Sequence, residues 1–75
     1  MKITVYSKPS CQACDLTKTW MDNNNIPYTA IDAYEDEKAM AEIQERGFMS
    51  FPVVNVDSWE SSWSGFDFQN LEELL

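Results

Sequence analysis

The chain opens with alternating polar and apolar residues. Lys2–Tyr6 reads Lys-Ile-Thr-Val-Tyr, rich in β-branched and aromatic side chains, which predicts a first strand. Ser7-Lys8-Pro9-Ser10 then has turn composition. Beyond it Ala13, Leu16 and Trp20 recur at helical spacing, with Cys14 and Met21 beside them and Asp15, Thr17, Lys18 and Asp22 off the stripe. This predicts a helix from Cys11 or Gln12 to Asn23. Asn23-Asn24-Asn25 closes it, because asparagine tolerates the left-handed backbone.

Ile26–Asp32 reads as a second strand with Pro27 at its edge or near its start. Strand, helix, strand implies a right-handed crossover and a parallel pair. Glu35–Arg46 predicts a second helix with Ala39, Met40 and Ile43 inward, Glu42 and Arg46 paired on the wet face, and Gly47 just past its end. Val53–Val56 is a buried strand. Asp57-Ser58 reads as a turn, and Trp59–Trp63 as an antiparallel partner with Trp59, Ser61 and Trp63 on one face. After Gly65, Asp67 caps a last helix whose apolar stripe is Phe68, Leu71 and Leu75, with Leu74 alongside.

Composition narrows the function. Seventy-five residues allow one domain, 1–75. Five Lys+Arg against 13 Asp+Glu leave a net charge of −8, which argues against a nucleic-acid partner and against anionic membranes. No apolar run is long enough to span a bilayer, and the N-terminus lacks the apolar core of a signal peptide, so the expected location is the cytoplasm. Histidine is absent, which removes Ser-His and Cys-His catalysis and most zinc sites.

The only cysteines, Cys11 and Cys14, enclose Gln12-Ala13. A structural staple over so small a loop stabilises little. Two thiolates half-coordinate a tetrahedral metal, so a metal or cluster requires two chains to share it. A redox dithiol needs only what is present. Placed at a helix N-terminus, Cys11 meets free N–H groups and a partial positive charge, which lower its pKa below the free value of about 8.5. Cys11 is then the nucleophile and Cys14, one turn in and shielded, the resolving thiol. Lys8 either adds positive field near Cys11 or is a solvated turn lysine.

These residues resemble a known family. Tyr6-Ser7-Lys8-Pro9-Ser10-Cys11-Gln12-Ala13-Cys14 resembles the active-site segment of glutaredoxins. Thr17-Lys18, Gly47-Phe48, Phe51-Pro52-Val53-Val54 and Trp63-Ser64-Gly65-Phe66 resemble its NrdH-redoxin branch. The resemblance implies an α/β thioredoxin fold: a four-stranded mixed sheet with three helices. It implies a small electron carrier with no cofactor beyond a redox-active Cys11–Cys14 disulfide; a monomer suits such a diffusing carrier, though the sequence leaves the oligomeric state open. The implied reductant is NADPH-dependent thioredoxin reductase, and the implied client a class Ib ribonucleotide reductase. It also assigns roles. Pro52 matches a cis-proline that turns the Phe51 backbone toward a partner beside Cys11; the alternative is a trans proline that opens a strand. Gly65 lets a partner backbone approach the sulfurs, or is an ordinary turn glycine. Trp63 and Phe66 form an apolar collar or pack the hairpin, and Thr17 and Lys18 lie on or anchor the first helix.

The chain also departs from the pattern. Gln12-Ala13 is not the usual intervening dipeptide of either branch. Asp67-Phe68 stands where NrdH-redoxins commonly carry Arg-Pro, and Asp67 falls near the aspartate with which glutaredoxins hold the amine of glutathione. Ser64-Gly65 replaces the glutaredoxin Gly-Gly pair. A glutathione-dependent glutaredoxin is therefore the runner-up. A binding module with idle thiols and a cluster- or metal-sharing dimer stand beside it.

Overall fold

The computed structural model describes all residues, Met1–Leu75. The elements are β1 (Ile3–Ser7), α1 (Gln12–Asn23), β2 (Thr29–Asp32), a 3-10 turn (Ala33–Glu35), α2 (Glu37–Glu45), β3 (Val53–Val56), β4 (Ser58–Ser64) and α3 (Phe68–Glu72). The sheet order is β2-β1-β3-β4. β1 runs parallel to β2 and antiparallel to β3, and β3 is antiparallel to β4. This is the expected four-stranded mixed sheet with three helices, the thioredoxin fold. No helix is long and apolar enough to cross a membrane.

Strand alternation divides the core in two. Ile3, Val5 and Val54 face Met21 of α1 and Leu71 of α3. Val53, from the opposite face, packs with Ala33 and Ile43, the latter from α2, and Tyr6 joins them. Helices α1 and α3 thus cover one face and α2 the other, so both faces of this small sheet lose water.

Several expectations change in detail. The inward side of α1 is Cys14, Thr17 and Met21, whereas Leu16 is 49% exposed. Cys14, Thr17 and Met21 lie along one line of the helix. Thr17 can share that line because its hydroxyl donates to the Ala13 carbonyl at 2.9 Å and enters the core already satisfied. β2 begins at Thr29 rather than Ile26. Asn25 takes φ +58° and the Ile26 amide donates to the Met21 carbonyl at 2.9 Å, so Ile26 belongs to the closing turn of α1. The second helix starts at Glu37, preceded by the 3-10 turn. Asp36 caps it by accepting from the Ala39 amide at 3.0 Å.

The hairpin differs most. β4 begins at Ser58, and a register shift between Asn55 and Val56 breaks its alternation. Trp63 therefore packs against the α1–α3 core and Trp59 against the α2 core, not on one face. Trp59 stacks on Tyr6 with centroids 5.3 Å apart and lies under the Arg46 guanidinium at 5.1 Å. Arg46 and Glu42 form the expected pair at 3.2 Å. α3 ends at Glu72, so Leu75 is left exposed, as is Phe68; Leu71 alone of the expected stripe is buried.

Candidate active site

The site forms at the end of β1, where the Lys8–Ser10 loop leaves the sheet. Ser10 takes the left-handed backbone at φ +55°, which reverses the chain so that Cys11 enters α1 in extended conformation. Cys11 is the N-cap. Its Sγ accepts from the Cys14 amide at 3.1 Å, and its carbonyl accepts from the Asp15 amide at 3.2 Å. The sulfur thus takes the place of the oxygen that ordinarily satisfies a free first-turn N–H. The same N–H would stabilise a thiolate after reduction.

Cys11 and Cys14 are joined in a disulfide with Cα atoms 5.3 Å apart. Cys14 is 1% exposed and Cys11 9%, so the attackable sulfur of the pair belongs to Cys11. Lys8 is exposed at the loop surface.

The opposing wall comes from the start of β3 and the end of β4. The Phe51–Pro52 peptide bond is cis, and Pro52 is fully buried. Tyr6 pairs with Val53, which sets Pro52 where β1 gives way to the cysteine loop. The Gly65 amide donates to the Pro52 carbonyl at 2.8 Å, and Ser50 Oγ to Ser64 Oγ at 3.0 Å. Gly65 has φ +85°, and a Cβ built there would meet nothing within 4 Å. Backbone conformation favours glycine there, and the space in front of it is open.

The other expected residues separate. Trp63 packs against the core with its indole N–H buried and unpartnered, whereas Phe66 is exposed. Asp67 caps α3. One carboxylate oxygen accepts from the Asn70 amide at 3.1 Å and the other from the Asn70 side chain at 2.9 Å. Thr17 anchors α1 from inside the core. Tyr34 and Met49, to which the sequence assigns no role, join Phe48 on the α2 side of Phe51. Their signal was available: Phe48, Met49 and Phe51 crowd three large apolar residues into a segment with no helix or strand.

Burial raises the Tyr6 pKa, with Asp36 and then Glu42 adding negative field. Burial likewise raises Tyr28, followed by a hydrogen bond to Asp22 and that residue's charge.

The profile of the glutaredoxin family matches residues 3–58, well over half of the chain. The chain belongs to the glutaredoxin family. It is 32% identical over 72 residues to the glutaredoxin-like protein NrdH of Lactococcus lactis subsp. cremoris, covering 96% of this chain and 97% of that one. It is 33% identical over 66 residues to NrdH of Escherichia coli, covering 88% of this chain and 79% of the relative. The solved structure of Escherichia coli NrdH-redoxin, described as a glutaredoxin-like protein with a thioredoxin-like activity profile, superposes with a TM-score of 0.92 at 31% identity. That match covers 100% of this chain and 96% of the other. This glutaredoxin-family chain is an NrdH-like thiol-disulfide oxidoreductase.

Proposed function

We propose that this 75-residue, one-domain protein is a cytoplasmic, monomeric electron carrier. Its donor is NADPH-dependent thioredoxin reductase, and its acceptor a class Ib ribonucleotide reductase. The Cys11–Cys14 pair is its only redox centre. The observation that carries the chemistry is Cys11 Sγ at the N-cap of α1, backed by a buried Cys14.

In the reduced form the Cys11 thiolate attacks one sulfur of the client disulfide. A mixed disulfide forms and the client's other sulfur leaves as thiolate. Cys14 then loses its proton and attacks Cys11 Sγ. The Cys11–Cys14 bond re-forms and the client's second sulfur leaves. Two electrons pass to the client, whose two thiolates take up protons. The reductase restores the dithiol by the same exchange in reverse.

Near-full-length similarity to NrdH proteins supports the choice of donor and client. Asp67 supports it too. Its two oxygens already cap α3, which weakens its case as a holder of the glutathione amine. A net charge of −8 suits partners with basic rims. In the proposed architecture Lys8 lends positive field, while the Phe51–Pro52 backbone, Ser64, Gly65 and Phe66 meet the partner.

A paired assay tests the reading: oxidised protein with NADPH and thioredoxin reductase, against glutathione with glutathione reductase. Rapid NADPH consumption in the first and slow consumption in the second is expected. The reverse ranking would move the protein to the glutathione-dependent glutaredoxins. A regulatory effect on a partner that survives Cys11→Ser would leave the thiols idle. Visible absorbance or bound metal after anaerobic purification would point to a shared cluster or ion.

A further inference from the structure

An aspartate follows directly on the cysteine pair. Asp15 lies in the first turn of α1, four residues beyond the N-cap, and its amide donates to the Cys11 carbonyl at 3.2 Å. Residues four apart in a helix are neighbours on one face, and helical side chains lean toward the N-terminus. The Asp15 carboxylate therefore stands one turn from Cys11 and leans toward it. Asp15 is exposed, and the cap of its helix is already made by Cys11 Sγ.

The other charged groups at this end of the fold differ in sign or in use. Lys8 stands on the loop before Cys11, and Lys18 three residues beyond Asp15. Asp32 ends β2 beside Ser7 and accepts from the Tyr34 amide at 2.9 Å. Glu35 is exposed in the 3-10 turn that follows. Asp36 caps α2, across the sheet from α1, and Asp67 caps α3. The ion pair of the structure, Glu42 with Arg46, also lies on α2. After reduction the positive end of α1 thus faces two anions of its own chain, the Cys11 thiolate and the Asp15 carboxylate.

We infer that Asp15 sets the reducing strength of the dithiol by opposing negative charge on Cys11 Sγ. It acts through Cys11 rather than on the substrate. The inference rests on the exchange reading above, in which Cys11 is the charged sulfur. When a reference disulfide oxidises the protein, the Cys11 thiolate and Cys14 thiol join in one S–S bond and the reference S–S bond breaks. The reference takes up two electrons and two protons, one from Cys14 and one from solvent. The charge on Cys11 disappears in that step. A carboxylate that repels this charge favours the oxidised protein and makes the dithiol the stronger reductant.

Four forms test this: the natural protein, Asp15→Asn, Asp15→Glu, and Glu60→Gln, which removes an equal charge from an exposed position on β4. The midpoint of Cys11 alkylation against pH should fall by about 0.5 in Asp15→Asn at low salt, the size of a like-charge effect across one exposed helical turn. In a dithiothreitol redox buffer above both midpoints, the ratio of dithiol to disulfide should rise by about threefold, which is the same shift read as an equilibrium. Asp15→Glu keeps the charge and should match the natural protein in both readouts, as should Glu60→Gln. Raising the salt from about 0.01 M to about 1 M shortens the screening length from about 30 Å to about 3 Å and should close the gap between Asp15→Asn and the natural protein. An unmoved midpoint in Asp15→Asn, an equal fall in Asp15→Glu or Glu60→Gln, or a gap that persists at high salt would overturn the role of Asp15 alone. Failure of the natural Cys11–Cys14 pair to cycle in the redox buffer would overturn the exchange reading and this inference with it.

Discussion

The backbone amide of Cys14 donates to Cys11 Sγ across 3.1 Å, so a sulfur caps the helix that carries the second sulfur. One hydrogen bond thereby joins the nucleophile to the peptide unit of its own resolving residue. Reduction leaves the N–H in place and gives it a better acceptor, since a thiolate accepts more strongly than a disulfide sulfur. In the dithiol form the alkylation rate of Cys11 should therefore titrate with a midpoint below the free-thiol value of about 8.5. A pH series of iodoacetamide labelling, read by mass spectrometry, measures it. A midpoint at the free-thiol value would mean that the helix terminus does not tune this sulfur.

The burial difference between the two sulfurs predicts which variant traps a partner. Cys14→Ser leaves the more accessible sulfur without its resolver, so a mixed disulfide through Cys11 should accumulate with a client peptide. Cys11→Ser leaves only a sulfur that is 1% exposed and should trap almost nothing. Non-reducing electrophoresis and peptide mapping separate the outcomes. Trapping through Cys14 instead would exchange the two roles.

The orientation of α1 shows where residue type and structural role part company. Leu16 is apolar and Thr17 polar, so apolar spacing turns the helix toward Leu16. The fold buries Thr17 because it lies in line with Cys14 and Met21 and satisfies its own hydroxyl within the helix. The elements, their order, both caps rich in asparagine or aspartate, and the Cys11–Cys14 pair were all readable, because each rests on local spacing or local turn chemistry. The side of α1 that faces inward, the register shift that sends Trp59 and Trp63 to opposite cores, and the edge-to-face contact of Tyr34 with Phe51 were not. Each depends on which distant segments meet. Met21→Ala should cost about 2–5 kcal/mol, the range for emptying a buried methionine position. Leu16→Ser should cost well under about 1 kcal/mol, as surface substitutions do. Urea unfolding of both variants gives the comparison, and equal costs would return Leu16 to the core.

Tyr6 gives the alkaline limit a structural origin. Its pKa is raised above 10.0, first by burial and then by Asp36 and Glu42. The folded state thus holds the phenol proton more tightly than the unfolded chain. That contribution is complete below about pH 10 and is lost as pH rises through the raised folded value, because the unfolded chain ionises first. Tyr28 adds a contribution of the same sign. Stability should therefore decline above pH 10, and Tyr6→Phe should flatten the decline while keeping the ring on Trp59. Thermal unfolding followed between neutral pH and the alkaline limit measures the slope. An unchanged slope in the variant would assign the alkaline loss to other groups.

Gly65 separates the cost of folding from the cost of docking. At φ +85° an alanine there is strained by about 1–2 kcal/mol, the penalty for an L-residue in the left-handed region. No atom lies within 4 Å of the added methyl group, so the fold meets no clash. The methyl enters open space instead, on the wall that the proposed function gives to the partner backbone. Gly65→Ala should therefore lower the melting temperature modestly and leave the protein folded at 25 °C. It should reduce turnover with a protein partner by more than turnover with a small symmetrical disulfide, which needs no backbone contact at that wall. Parallel kinetics on the two substrates decide it. Equal losses on both would show that Gly65 serves the turn alone.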